Sequence, residues 1–153
     1  MTATLTLYEF LLARYAEREL AARVAADGPG EGHWRPRHRG DEGDEVTDAA
    51  GEVVAAGDPP EVAEVIAWHD PAWVLRDVAA KRAVVRIHAP AVADDQVLDW
   101  CRGCNWTELR EWASRSDDCP TLRALGSIYA DHPDYRLEWA PPPPDVSVLR
   151  PVT

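Results

Sequence analysis

Apolar residues recur at helical spacing over the first stretch of the chain. Tyr8, Leu11, Leu12 and Tyr15 follow one another at intervals of three and four, which predicts an amphipathic helix running to about Ala26. Its start is written in Thr6-Leu7-Tyr8-Glu9, a capping box in which Thr6 caps the Glu9 amide and the Glu9 side chain reaches back. Leu5 and Phe10 hold the two positions of a hydrophobic staple, and Gly28-Pro29-Gly30 stops the helix.

From His33 the pattern shortens to extended pieces. Asp44-Glu45-Val46-Thr47, Asp48-Ala49-Ala50-Gly51 and Glu52-Val53-Val54-Ala55 read as strand, turn and strand, with Gly51 at the left-handed turn position. His33 to Arg37 is a candidate third strand, and Pro36 places it at an edge. An acidic turn, Asp41 to Glu45, separates it from the hairpin.

Asp58-Pro59-Pro60-Glu61 then opens a second helix, with Asp58 as cap and Val62, Val65 and Ile66 as its apolar stripe. His69-Asp70-Pro71 ends it and starts a third, carrying Val74, Leu75, Val78 and Val85 and ending at Ala89-Pro90. Residues 91–119 read as an irregular segment with a short helix from Trp106 to Trp112. Pro120 begins a last helix through Leu122, Leu125, Ile128 and Tyr129, and Pro133 to Trp139 forms one more turn. No internal repeat is visible. The expected architecture is α+β: helices packed on a small antiparallel β-hairpin sheet, with a zinc-pinned C-terminal segment. Residues 1–139 are expected to form a single small domain and 140–153 a flexible Pro-rich tail.

Charge narrows the function classes. Against 27 Asp and Glu the chain sets 16 Lys and Arg, a formal net charge of -11. That balance works against non-specific binding to nucleic acid or anionic lipid. No apolar run is long enough to span a bilayer, and Met1-Thr2-Ala3-Thr4 does not open a signal peptide, so a cytoplasmic protein is expected. Seven tryptophans stand beside one phenylalanine and one methionine, and by default they serve the core or its edge.

The three cysteines change the picture most. Cys101-Arg102-Gly103-Cys104 is a Cys-x2-Cys turn, and Cys119 precedes Pro120. Two thiolates three positions apart can chelate one ion from a single tight turn, and the glycine lets backbone amides face the sulfurs. A tetrahedral zinc site needs a fourth ligand among five histidines. His88 stands before Cys101 across a segment that can fold back. His132 lies at the far end of the last predicted helix, about 15–18 Å from Cys119 at 1.5 Å per residue. His69 is one helix further away, and His33 and His38 belong to the hairpin region. His88 is favoured; the bland alternative is a helix-capping histidine beside free buried thiols. Three thiolates and one imidazole suit closed, structural zinc better than an iron–sulfur cluster, which usually takes four thiolates. A thioredoxin-like use of the pair would need a helix N-terminus after a strand and leaves Cys119 unexplained.

Other candidate chemistry is thinner. Arg35, Arg37, His38 and Arg39 beside Trp34 form the one basic cluster, suited to single-stranded nucleic acid or else neutralised by the acids that follow. His69-Asp70 and Asp131-His132 precede prolines and read as helix junctions. No phosphate loop, His-Glu-x2-His or nucleophile elbow is present.

His69-Asp70-Pro71-Ala72-Trp73-Val74-Leu75-Arg76, Lys81-Arg82 to His88, Cys119-Pro120-Thr121-Leu122-Arg123-Ala124-Leu125, Tyr129 to Tyr135 and Glu138-Trp139 together resemble a small family of actinobacterial and actinophage proteins known only as a domain of unknown function. The resemblance covers about Leu7 to Trp139 and implies no activity. It implies His88, Cys101, Cys104 and Cys119 as the ligand positions. The chain departs from the pattern in a longer Cys104–Cys119 spacing and in Asp117-Asp118 where an aromatic-proline turn is more typical.

These features together predict a small non-enzymatic zinc-binding protein, an interaction or accessory factor of a phage or actinobacterial host, with a protein partner. The alternative is a nucleic-acid-associated regulator using Arg35 to Arg39, which the net charge disfavours.

Overall fold

The computed structural model describes residues 5–27, 30–40, 43–57, 59–104 and 115–143. Helix α1 spans Leu7–Ala25 and begins at the expected capping box. The Glu9 amide donates to Thr6 Oγ1 at 3.3 Å, and the Thr6 amide donates to Glu9 Oε2 at 2.9 Å. Its buried face is Leu7, Phe10, Leu11, Tyr15 and Ala22, while Tyr8 and Leu12, placed on the stripe from the sequence, are half-buried. The ring partners of Phe10 turn the face this way: Tyr129, His132 and Tyr135 meet it edge-on at 5.6–6.1 Å, and Trp139 lies 5.1 Å away. The expected stop at Gly28-Pro29 lies outside the described residues.

Strands β1 (Trp34–His38), β2 (Asp44–Asp48) and β3 (Val53–Gly57) form an antiparallel sheet in the order β1-β2-β3. Pro36 pairs with Val46 and lies, as expected, on an edge strand. The β2–β3 turn is held by Asp48 Oδ1, which accepts from the amides of Ala50 and Glu52 at 2.9 Å each, with Gly51 at φ 87°. Residues 41 and 42 of the acidic turn, and the expected helix cap Asp58, lie outside the described residues.

Helix α2 (Pro60–Trp68) packs on this sheet through small residues, which corrects the stripe expected from the sequence. Val62 and Val65 are 40% and 50% exposed, whereas Ala63 and Ala67 are buried with Val46, flanked by Trp34, Ala55 and Ile66. Close backbone approach is the reason. A Cβ on Gly57 would stand 2.6 Å from the Ala63 amide nitrogen, so helix and strand meet backbone to backbone at this point.

Helix α3 (Pro71–Ile87) starts at buried Asp70, whose Oδ1 accepts from the Trp73 amide at 2.5 Å. Its Oδ2 accepts from the Trp34 amide at 3.4 Å. Val78 and Val85 are buried, as the pattern predicts.

The segment after α3, read from the sequence as irregular, holds a second hairpin. Strand β4 (Pro90–Ala93) pairs antiparallel with β5 (Gln96–Cys101), in the register Pro90↔Cys101, Val92↔Val97 and Ala93↔Gln96. Asp94 and Asp95 make the two-residue turn at φ 50° and 59°, left-handed positions that aspartate tolerates better than most residues. No glycine marks this turn, so the usual hairpin signal is missing. The expected helix from Trp106 to Trp112 lies outside the described residues.

Helix α4 (Pro120–Gly126) starts at the proline as expected but gives way to a 3₁₀ turn at Ser127–Tyr129, and a further 3₁₀ turn spans Leu137–Trp139. The tail from residue 144 lies outside the described residues. The chain forms two compact units, one comprising Met1–Leu11 and Val85–Thr153 and the other Leu12–Val84. Among the described residues no helix is long and apolar enough to cross a membrane.

Candidate metal centre

Hairpin β4–β5 brings together residues that the sequence leaves apart. His88 follows α3 directly, and Cys101 ends β5. Because Pro90 pairs with Cys101 and the Arg102 amide donates to the Ala89 carbonyl at 3.0 Å, the two ends of the hairpin close beside the imidazole. Cys119 stands immediately before α4, with its amide on the Ser116 carbonyl at 3.4 Å.

The four donors His88, Cys101, Cys104 and Cys119 converge, all ligand atoms lying within 4.8 Å of one another. His88 Nδ1 is 3.4 Å from Cys101 Sγ, 3.6 Å from Cys104 Sγ and 3.5 Å from Cys119 Sγ. Cys104 Sγ and Cys119 Sγ are 3.5 Å apart. Ligands at about 2.3 Å (sulfur) and 2.0–2.1 Å (nitrogen) on a tetrahedral ion would stand about 3.6 Å apart for each S–N pair and about 3.8 Å for each S–S pair. The donor set therefore has the span of a small tetrahedral ion and can hold a metal.

Burial sets the state of the three cysteines. Cys101 and Cys119 are fully buried, Cys104 is half-buried, and all three are free of disulfides. Burial pushes the Cys104 thiol up to about 12, with hydrogen bonding to Cys119 and Cys101 and their charges adding to the effect. Burial also raises the Cys119 thiol, partly opposed by the Leu122 amide, which donates to its sulfur. The Cys104 and Cys119 thiols thus resist ionisation, and a divalent cation would reverse that balance. The Cys104 amide donates to Cys101 Sγ at 3.4 Å, so a backbone amide of the turn faces a sulfur.

The four remaining histidines have local partners instead. His33 Nδ1 lies 3.6 Å from Asp70, and His38 Nδ1 lies 3.3 Å from Asp44. His69 Nδ1 bonds the Val65 carbonyl at 2.8 Å and its ring meets Trp73, while His132 packs on Phe10 and accepts from the Asp134 amide at 3.1 Å.

Two arginines of the basic cluster, Arg37 and Arg39, share the Glu45 carboxylate. Glu45 Oε2 accepts from Arg37 Nε at 3.1 Å, and Glu45 Oε1 accepts from Arg39 at 2.8 Å. These hydrogen bonds, Arg37 first, hold the Glu45 carboxyl below its ordinary value.

Sequence reasoning missed two supports of the centre. One is the β4–β5 hairpin, for which the apolar Val97, Leu98 and Trp100 were the available signal. The other is the steric part played by Gly103, which no pattern announces. The family of unknown function DUF6221 matches residues 4–141, and the chain belongs to that family. No curated protein and no solved structure matches it.

Proposed function

We propose that this member of DUF6221 is a non-enzymatic zinc protein, with Cys101, Cys104, Cys119 and His88 closing a structural site. One observation carries the reading. All three S–N spans, at 3.4, 3.6 and 3.5 Å, fall within about 0.2 Å of the value for tetrahedral zinc. Four protein ligands fill a tetrahedron and leave no position for water or substrate, which supports a structural over a catalytic role. Each ligand comes from a different local setting: the end of α3, the end of β5, the turn after it and the start of α4. An ion there ties four pieces of chain together.

The protein acts as an interaction or accessory factor in the cytoplasm of an actinobacterial host or its phage. Three reduced cysteines suit a reducing compartment. The outward face of α2, with Val62, Val65 and Trp68 at 40%, 50% and 66% exposure, supports a protein partner.

Elemental analysis of protein purified without chelator tests the reading. About one zinc per chain is expected, held much more weakly in Cys104→Ser and His88→Ala and kept in His132→Ala. Zinc-free protein from zinc-supplied cells would overturn it.

A further inference from the structure

We propose that Gly103 is a positioning residue of the metal centre, the one that obliges His88 to ligate through Nδ1. This rests on the metal reading above and adds to it a residue that offers no ligand atom.

The argument starts from where the backbone must go. Nδ1 is the ring nitrogen nearer its own main chain, so an ion bound there sits close to the end of α3. The sulfurs that share the ion must come equally close. Cys101 Sγ lies 3.5 Å from the His88 carbonyl oxygen, which records that approach. The turn joining Cys101 to Cys104 is then pressed against the imidazole. A Cβ on Gly103 would stand 2.9 Å from His88 Nδ1, 2.9 Å from the Ile87 carbonyl oxygen and 3.1 Å from His88 Cε1. The first of these atoms is the donor itself.

Conformation does not demand the glycine. Among the described residues the left-handed glycines are Gly32, Gly40, Gly43 and Gly51, and Gly103 is not one of them. Space demands it. A methyl group at 103 would have to displace the ring from the three sulfurs, swing it to present Nε2, or open the turn. Each outcome spoils a tetrahedron whose spans are set to a few tenths of an ångström. Residues that orient ligands without touching the ion typically hold a 10–100-fold share of metal affinity. Gly103→Ala should fall in that range.

Two measurements test this. Long-range proton–nitrogen NMR of zinc-loaded wild-type protein reports which His88 nitrogen is metal-bound. Nδ1 bound with Nε2 protonated is expected, and Nε2 bound would overturn the proposal without any variant having to fold. The second is a cycle of zinc affinities, by competition with a chromophoric chelator, over wild type, Gly103→Ala, His88→Ala and the double variant. If Gly103 acts through the imidazole, the alanine should cost 10–100-fold in wild type and little once His88 is gone. An equal loss in both backgrounds would mean that the methyl group acts on the Ile87 carbonyl alone, and no loss in wild type would mean that it does not act at all; either overturns the proposal. Absence of zinc from wild type would instead defeat the metal reading itself.

Discussion

Stripping the metal should loosen the unit containing Val85–Thr153 and leave the β1–β3 sheet with α2 folded. All four ligands belong to the first unit, and the outermost pair, His88 and Cys119, are 31 positions apart. Treated as a cross-link, a closure of that length removes about 4 kcal/mol of chain entropy from the unfolded segment. A whole domain is stable by about 5–15 kcal/mol, so a loss of this size brings the segment near local opening. At 1.4 kcal/mol per decade, amide exchange there should accelerate roughly a thousandfold. The core of Val46, Ala63 and Ala67 contains no ligand, and nothing in its register depends on the ion. Hydrogen exchange by mass spectrometry, with and without chelator, reads both regions in one experiment. The expected result is fast exchange in β4, β5 and α4 beside unchanged protection in β2 and β3. Uniform acceleration would refute the separation into two supports, and unchanged exchange throughout would refute a structural ion.

Phe10→Ala should cost about 3–5 kcal/mol in chemical denaturation, because Phe10 is fully buried among four rings, whereas Leu137→Ala, at 87% exposed, should stay within about 0.5 kcal/mol. Gly57→Ala should destabilise by about 1–3 kcal/mol, read as a lowered Tm, since its methyl group would meet the Ala63 backbone at 2.6 Å. Glu9 is held below its ordinary 4.5, first by the Thr6 amide and then by the Thr6 hydroxyl. Its contribution is therefore present above pH 4.5 and lost as pH falls through the lower folded value, so a pH series of denaturation curves should show that part of the acid sensitivity disappear in Glu9→Gln. Asp95→Gly should be neutral or stabilising by up to about 1 kcal/mol, because a residue at φ 59° is relieved by glycine.

Local chemistry explains which elements were legible in the sequence. The α1 start was readable because both partners of the capping box lie within four residues, and the β2–β3 turn because Asp48 and Gly51 act on their own neighbours. Where a distant partner decides, the pattern misleads. Val62 and Val65 look like the inner face of α2, yet the sheet approaches that helix at Gly57 and buries Ala63 and Ala67, with Ile66 of the expected stripe packed beside them. Tyr8 and Leu12 look as apolar as Leu7 and Phe10, and what separates them is a ring cluster more than a hundred residues further along the chain.

The metal centre divides in the same way. Cys101 and Cys104 announce themselves because one turn carries both. Cys119 and His88 join them only through tertiary structure, and the sequence points to His88 over the other histidines by reach and by the family resemblance. What delivers it is the β4–β5 hairpin, whose Asp94-Asp95 turn lacks the glycine that would have given it away. The spans among the four donors then add what ligand identity could not. They name Nδ1 as the nitrogen that faces the sulfurs, and they make the small size of residue 103 a condition of the geometry. A residue that offers the ion no atom thus bears on the site through the room it leaves for the His88 ring.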